Sequence, residues 1–129
     1  MIVSHKFKFI FVKTKKTAST SVETYLSQFC GYEDIFTPIY PPVIFHEPRN
    51  YCCEDREIDF YNHMSANEIK TKIGEDIFNS YYKFCIERNP FEKVISFYWM
   101  KKAEEPKLTI SEFLRQGDLG YNWPLYTDK

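Results

Sequence analysis

Twice along this chain, a short apolar run leads through a polar turn into a segment with apolar residues at helical spacing. The first run covers residues 7–13 and its helical stripe lies in residues 22–29; the second covers residues 81–87 and its stripe lies in residues 91–98. Each pair is typical of a buried strand followed by an amphipathic helix. Two such units predict an α/β fold in which a sheet of parallel strands is flanked by helices.

Two capping boxes mark further helix starts. Residues 65–68 read Ser-Ala-Asn-Glu and residues 109–112 read Thr-Ile-Ser-Glu. In this pattern the first and fourth side chains satisfy backbone groups that an α-helix leaves unpaired at its start. We therefore expect short helices that begin there and end near Gly74 and at Gly117, since glycine favours the residue after a helix.

The chain has 129 residues, which fits a single domain over residues 1–129. Residues 31–62 contain four of its seven prolines, so no long regular element is expected there. Residues 43–45 are a candidate for a short strand, and the whole segment could hold an insertion that faces a substrate. The four cysteines lack the spacing of a metal site, so we expect reduced thiols and no bound metal.

The net charge of −1 gives no global field that would attract nucleic acid or an anionic membrane. No segment approaches the roughly 20 apolar residues that a membrane span requires. We therefore expect a soluble, cytoplasmic protein that binds neither. The first 22 residues nevertheless contain five lysines and no acidic residue. That cluster is either a solubilising basic end or part of an anion site.

The polar turn at residues 13–21 has the chemistry of an anion site. The start of a helix offers unpaired backbone N–H groups and the positive end of the helix dipole, where phosphate or sulfate binds readily. Lysines add charge, hydroxyls add donors, and small Ala18 and Ser19 let an anion approach the backbone. The turn lacks the glycines of GxxxxGK[ST], which argues against a nucleotide kinase. A helix capped by a hydroxyl after a solvated basic turn is the alternative.

Residues 16–21, Lys-Thr-Ala-Ser-Thr-Ser, resemble the 5′-phosphosulfate loop of sulfotransferases, which also follows a strand. The resemblance implies a P-loop-like site for 3′-phosphoadenosine 5′-phosphosulfate (PAPS). Lys16 matches the catalytic lysine that contacts the bridging oxygen, and Lys15 stands where the family usually has proline. The remaining positions, expected to surround the 5′-phosphate, are Thr17, Ala18, Ser19, Thr20 and Ser21.

A second motif follows the second predicted strand. Arg88-Asn-Pro, a basic residue at Lys93 and Ser96-x-Tyr resemble the 3′-phosphate motif of the same family. Arginine offers a planar fork suited to phosphate, and Ser96 lies about two helical turns further along. The resemblance implies that Arg88 and Ser96 hold the 3′-phosphate, whereas a surface ion pair and an ordinary helix serine remain the alternative.

A base for the acceptor hydroxyl is the remaining requirement of sulfuryl transfer. His63 lies in His-Met-Ser-Ala, and a His-x-x-Ala segment occurs in the carbohydrate-sulfotransferase branch, where it faces the acceptor. His63 is therefore the candidate for the base or an acceptor contact; a ring that only caps or packs is the alternative. His5 is expected at the surface, and His46 falls in the proline-rich segment.

The resemblance as a whole implies a PAPS-dependent sulfotransferase that acts on a hydroxyl acceptor, and the resemblance of the His63 segment implies that this acceptor is a carbohydrate. The family's catalytic domain is longer than this chain, so the domain is expected to be shortened at its C-terminal end. A smaller domain buries less apolar surface, and a missing closing loop weakens nucleotide binding. A non-catalytic module that keeps the nucleotide-binding core is therefore the competing hypothesis.

Overall fold

A computed structural model describes residues 1–53, 58–117 and 119–127, and within them a four-stranded sheet is flanked by helices. The strands are β1 (Ile2–Ser4), β2 (Phe9–Phe11), β3 (Ile35–Phe36) and β4 (Tyr82–Phe84). The helices are α1 (Ser19–Ser27), α2 (Ala66–Ile73), α3 (Glu75–Ser80), α4 (Pro90–Glu104), α5 (Ile110–Gln116) and α6 (Trp123–Tyr126). The predicted α/β class is confirmed, and α1 and α4 each follow a strand as expected.

The sheet is mixed rather than parallel. Its order is β3-β1-β2-β4, and β2 pairs in parallel with β4, with Phe11 opposite Phe84. The prediction of a parallel sheet is wrong for β1, which runs antiparallel to both β2 and β3. A short turn over residues 5–8 joins β1 to β2 as a hairpin, and hairpins require antiparallel strands.

The carboxylate of Asp34 holds that hairpin turn. It accepts hydrogen bonds from the backbone N–H groups of His5 (2.6 Å) and Lys6 (3.0 Å). It also accepts from the Ser4 hydroxyl (2.8 Å) and the Gly31 N–H (2.7 Å). Burial alone would raise the pKa of Asp34, but these donors outweigh it and hold the pKa below its ordinary value. The turn is therefore fixed by a distant, charged side chain.

Alternate residues along the strands point to opposite faces of the sheet, as a pleated strand requires. One face carries Ile2, Phe11 and Phe36 and packs against α1. The other face carries Val3, Ile10 and Val12 and packs against Met64 and Ile69, near and within α2. A third cluster joins α4 to α5; its buried residues are Phe97, Tyr98, Leu108 and Phe113.

The predicted buried stripe of α1 is partly wrong. Tyr25 and Phe29 are exposed, whereas the residues that α1 buries most deeply are Ser19, Glu23 and Ser27. Glu23 is buried because it has charged partners inside the protein, as shown below. The apolar stripe expected within residues 91–98 of α4 is also only partly correct: Tyr98 is buried and Val94 packs beside it, whereas Phe91 and Ile95 are exposed.

Both capping boxes are confirmed. The side chains of Ser65 and Thr109 accept from the backbone three residues on, and the two glutamates reach back to the cap N–H groups. The strand predicted at residues 43–45 is wrong, because these residues enter a turn closed by a 3.2 Å hydrogen bond from the His46 N–H to the Val43 carbonyl. None of the helices in the described ranges has the length and apolar character that crossing a bilayer requires.

Candidate functional site

The carboxyl ends of β2 and β4 lie side by side because these two strands are parallel, so the loops that leave them are neighbours. The Thr14 hydroxyl ties the loops together by donating to the Ile86 carbonyl at 2.5 Å. An open cleft of about 640 Å³ lies beyond these strand ends. It is lined by Lys13, Lys15, Lys16, Ala18, Ser19, Thr20, Ile39, Tyr40, Asn62, His63, Arg88, Ser96, Phe97 and Met100.

Seven of the nine predicted site residues line this one cleft: Lys16, Ala18, Ser19, Thr20, His63, Arg88 and Ser96. The two others do not line it. Thr17 is buried, and its hydroxyl lies 2.9 Å from the Thr14 hydroxyl, while Ser21 is exposed on the first turn of α1. The two motifs that the sequence separates by some 70 residues therefore face the same space.

The loop between β2 and α1 has an unusual backbone. Lys16 (φ 59°) and Ala18 (φ 58°) both adopt the left-handed conformation, which residues other than glycine rarely enter. Left-handed residues in a turn direct N–H groups toward one concave side, which is the geometry of anion-binding nests. The Ser19 hydroxyl braces the loop by donating to the Thr14 carbonyl at 2.6 Å.

The first turn of α1 has no side-chain cap. Ala18 occupies the cap position and has no group that can accept a hydrogen bond from the helix. By contrast, Ser65 caps α2, Asn89 caps α4 and Thr109 caps α5. Because Ser19 and Thr20 line the cleft, the positive end of the α1 dipole and its first N–H groups border that space.

The five N-terminal lysines do not form one patch. Lys6 and Lys8 lie within the β1–β2 turn, at the end of β2 opposite the cleft. Lys13 is 1% exposed, and its ammonium lies 2.7 Å from the Glu23 carboxylate. The same carboxylate also pairs with the amino group of Met1 at 2.6 Å. Lys15 and Lys16 also line the cleft, and neither forms an ion pair with a residue that the structure describes.

His63 is held with one nitrogen toward the protein. Its Nδ1 lies 2.9 Å from the Lys13 carbonyl oxygen, and because a carbonyl only accepts, Nδ1 carries the proton. Burial lowers the pKa of His63 below 6.5, and nearby positive charges, including Lys13, act in the same direction although the hydrogen bond opposes them. The ring is therefore neutral near pH 7, with Nε2 able to accept a proton.

The other two histidines lie elsewhere. His5 is half-buried in the β1–β2 turn, where its Nδ1 lies 2.8 Å from the Tyr81 hydroxyl. His46 is buried with its Nε2 2.9 Å from the Thr37 carbonyl oxygen. Neither lines the cleft. The expectation that His5 lies fully at the surface is therefore only partly correct.

Arg88 lies in the loop between β4 and α4. Its Nε donates to the Glu92 carboxylate at 3.1 Å, an exposed pair that contributes little to stability and leaves the terminal nitrogens available. Ser96 is half-buried on the face of α4 that borders the cleft. Lys93 pairs with Glu87 at 3.0 Å and does not line the cleft.

Two asparagines, one lining the cleft and one buried behind its loop, were not predicted from the sequence. Asn122, 1% exposed, accepts from the Lys15 N–H at 2.8 Å and donates to the Lys15 carbonyl at 3.0 Å. Asn62 lines the cleft, and its buried side-chain oxygen has no hydrogen-bond partner within the described ranges. No local motif marks either residue, since an asparagine in a loop has many ordinary roles.

A second groove adjoins the cleft and shares Tyr40 and Asn62 with it. It measures about 520 Å³ and its surface is mostly apolar. Its lining residues are Pro38, Tyr40, Tyr51, Cys52, Ile58, Phe60, Tyr61 and Asn62. The proline-rich segment therefore supplies part of the wall between the two spaces.

Comparison with known proteins gives an assignment to a family. The model of the sulfotransferase family matches residues 1–122. An uncharacterised protein of Archaeoglobus fulgidus is 36% identical over 69 residues, which make up 50% of this chain and 58% of the archaeal protein. The chain thus aligns with little more than half of that relative's length, and no solved structure is significantly similar to it. Because the family match extends over nearly the whole chain and both motifs, the chain belongs to the sulfotransferase family.

Proposed function

We propose that this chain binds PAPS in the cleft and transfers its sulfuryl group to a hydroxyl of a carbohydrate acceptor. The observation that carries the proposal is that two anion-binding motifs, at Lys16 and at Arg88, open into one cleft. PAPS carries a phosphosulfate at one end and a separate phosphate on the ribose. Two cationic groups that face the same space, one at Lys16 and one at Arg88, suit a nucleotide that has an anionic group at each of two positions.

The loop before α1 fits the 5′ end of the nucleotide. The uncapped first turn of α1 and the left-handed residues Lys16 and Ala18 provide backbone donors where an anion would replace the missing cap. Lys16 would stabilise the negative charge that develops on the leaving phosphate. When bound, PAPS supplies the activated sulfuryl group, so that this chain's residues need only orient it and stabilise charge.

Arg88 and Ser96 fit the 3′-phosphate. The Arg88 guanidinium can exchange its exposed pair with Glu92 for a bidentate pair with phosphate, and charge-assisted bonds of that kind are stronger. Ser96, half-buried on the neighbouring face of α4, offers a hydroxyl donor. These two residues would therefore distinguish PAPS from nucleotides that lack the 3′-phosphate.

His63 is suited to act as the base. Its Nδ1–H donates to the Lys13 carbonyl, so the neutral ring presents Nε2 to the cleft side and can take the proton of the acceptor hydroxyl. The adjoining groove supports a carbohydrate acceptor, because tyrosine rings combine apolar faces that cover sugar rings with a polar edge. Its shared wall at Tyr40 would bring an acceptor next to His63.

Titration calorimetry with two nucleotides tests the donor assignment. We expect Arg88→Ala to lose much more affinity for 3′-phosphoadenosine 5′-phosphate than for adenosine 5′-phosphosulfate, because only the first has a 3′-phosphate. Arg115→Ala, which removes an exposed arginine of α5 outside the cleft, is the matched control and should change neither affinity. Equal losses for the two nucleotides, or no binding by the unchanged chain, would contradict the proposal.

Turnover requires a separate measurement. Incubation with PAPS labelled in its sulfuryl group and a panel of glycans and small phenols should yield labelled sulfated glycans. Label transferred only to phenols would overturn the carbohydrate assignment. Tight binding of the desulfated nucleotide without transfer to any acceptor would instead support the non-catalytic module.

A further inference from the structure

The loop that precedes α1 is held in place by a residue from the far end of the chain. The Asn122 side chain bonds both backbone groups of Lys15, as acceptor for its N–H at 2.8 Å and as donor to its carbonyl at 3.0 Å. The two residues are 107 positions apart. A primary amide is suited to this contact because it contains a donor and an acceptor side by side.

This contact acts at a sensitive point of the loop. Lys15 directly precedes Lys16, whose left-handed backbone (φ 59°) is unfavourable unless its surroundings hold it. Fixing both the N–H and the carbonyl of Lys15 fixes the peptide planes on either side of it. The direction in which Lys16 leaves the loop is therefore set by Asn122 together with the Thr14 and Ser19 hydroxyls.

Asn122 is itself held from two sides. Leu119 packs against the α4–α5 cluster, and Leu125 packs against the main core beside α2. Between them Gly120 (φ 69°) lies so close to Phe97 that an added Cβ would meet the ring at 3.4 Å. The neighbours of Asn122 pack against two separate clusters, and this packing positions the Asn122 side chain beside Lys15.

We propose that Asn122 is a positioning residue of the donor site, which fixes the Lys15 backbone so that Lys16 and the α1 N-terminus meet the 5′ end of the nucleotide. The inference rests on the proposed function. It makes the affinity for the sulfuryl donor depend on Asn122, a residue that lies outside both motifs. Asn122 does not touch the nucleotide in this assignment; it acts through Lys15.

The test replaces Asn122 by leucine, which keeps the volume and removes both hydrogen bonds. Asn122→Leu should weaken the binding of adenosine 5′-phosphosulfate about tenfold, because the released loop must be ordered again on binding, at a cost of the order of one hydrogen bond. Binding of adenosine 3′-phosphate, which reaches only the Arg88 arm, should not change. Hydrogen exchange of the Lys15 amide should become faster in the absence of any ligand.

The matched control is Thr109→Ala, which removes the cap of α5 and destabilises the protein without touching the loop. A loss of 5′-ligand affinity in this control as large as that in Asn122→Leu would show a general effect of stability and overturn the inference. Unchanged affinity or unchanged Lys15 exchange in Asn122→Leu would overturn it as well. If the unchanged chain binds none of these nucleotides, the proposed function fails and the inference falls with it.

Discussion

Three residues that line the cleft have a left-handed backbone although none is glycine. They are Lys16, Ala18 and His63, with φ between 58° and 60°. Each such residue costs roughly 1–3 kcal/mol and persists only where its surroundings hold it. In the loop between β2 and α1, the hydrogen bonds of the Thr14, Ser19 and Asn122 side chains stabilise this conformation. The other non-glycine residues with a positive φ in the described ranges, Lys8, Phe45 and Asn50, lie outside the cleft.

His63→Asn separates the structural role of this side chain from its chemical role. Asparagine tolerates a left-handed backbone, and its amide can replace Nδ1–H as donor to the Lys13 carbonyl. It cannot take a proton. We expect sulfuryl transfer to fall by about 10²–10⁴-fold, the usual contribution of a general base, with unchanged affinity for 3′-phosphoadenosine 5′-phosphate.

Initial rates and calorimetry on the same preparations measure the two quantities. His5→Asn is the matched control, because His5 lies in the β1–β2 turn away from the cleft and should leave the rate intact. A His63→Asn variant that transfers sulfuryl groups at the original rate would exclude His63 as the base.

The pH dependence of turnover follows from the environment of His63. Burial lowers the pKa of this ring from 6.5, so the proton-accepting form persists into mildly acidic solution. We expect kcat/KM to be constant near neutral pH and to fall on the acid side with a midpoint below 6.5. The fall should be absent from the residual activity of His63→Asn. A midpoint above 6.5 would contradict the environment that the structure gives this histidine.

At the scale of the elements, the features that could be predicted are those encoded locally. The starts of α2 and α5 were predicted because a capping box lies within four residues, at Ser65 and Thr109. The buried face of α1 was not, because Glu23 is buried by partners distant in sequence and the helix stripe gives no sign of them. β1 and β3, with three and two residues, are too short to show alternation.

In the candidate site, too, locally encoded features could be predicted and features created by folding could not. Both candidate anion motifs are contiguous in the sequence, so the elements that carry them could be predicted, whereas anion binding by their residues stays a prediction. Asn62, which lines the cleft, and Asn122, which holds the Lys15 backbone, could not be predicted, because only the folded chain brings them there. The side chain of Thr17 was assigned to the cleft but is buried, since a motif gives the position of a residue and not the direction of its side chain.

Glu23 ties α1 to the sheet through a buried ion pair with Lys13. We expect Glu23→Gln to lower the free energy of unfolding by about 3–5 kcal/mol, because it leaves the Lys13 ammonium buried without an opposite charge. Adding Lys13→Met should recover part of that loss by removing the stranded charge. Urea unfolding followed by circular dichroism measures both. A double variant no more stable than Glu23→Gln alone would show that the pair is not what holds α1.

At the scale of the whole molecule, the cleft lies where separate parts of the fold meet. The loop after β2 forms one wall, α4 and the residues before it form another, and the residues around His63 close a third side. The Tyr40 groove opens beside it. A ligand that spans the cleft would therefore contact all of these segments, and its binding should raise the free energy of unfolding of the entire domain.

Thermal unfolding makes that expectation measurable. 3′-Phosphoadenosine 5′-phosphate at 100 times its Kd should add about 2.7 kcal/mol to the free energy of unfolding, and the melting temperature should rise accordingly. Adenosine 5′-phosphate at the same concentration should give a smaller rise, since it cannot reach Arg88 with a second phosphate. In Arg88→Ala the two nucleotides should become similar. Equal rises in the unchanged chain would argue against a two-armed site.

The absence of a side-chain cap at the start of α1 has a consequence for any attempt to strengthen this protein. Ala18 leaves the first turn of the helix incomplete on the side that borders the cleft, whereas α2, α4 and α5 complete theirs with their own side chains. A cap supplied from within the chain would stabilise the helix but would occupy the backbone donors that a bound anion needs. The residue at position 18 therefore sets a trade-off between thermal robustness and ligand affinity.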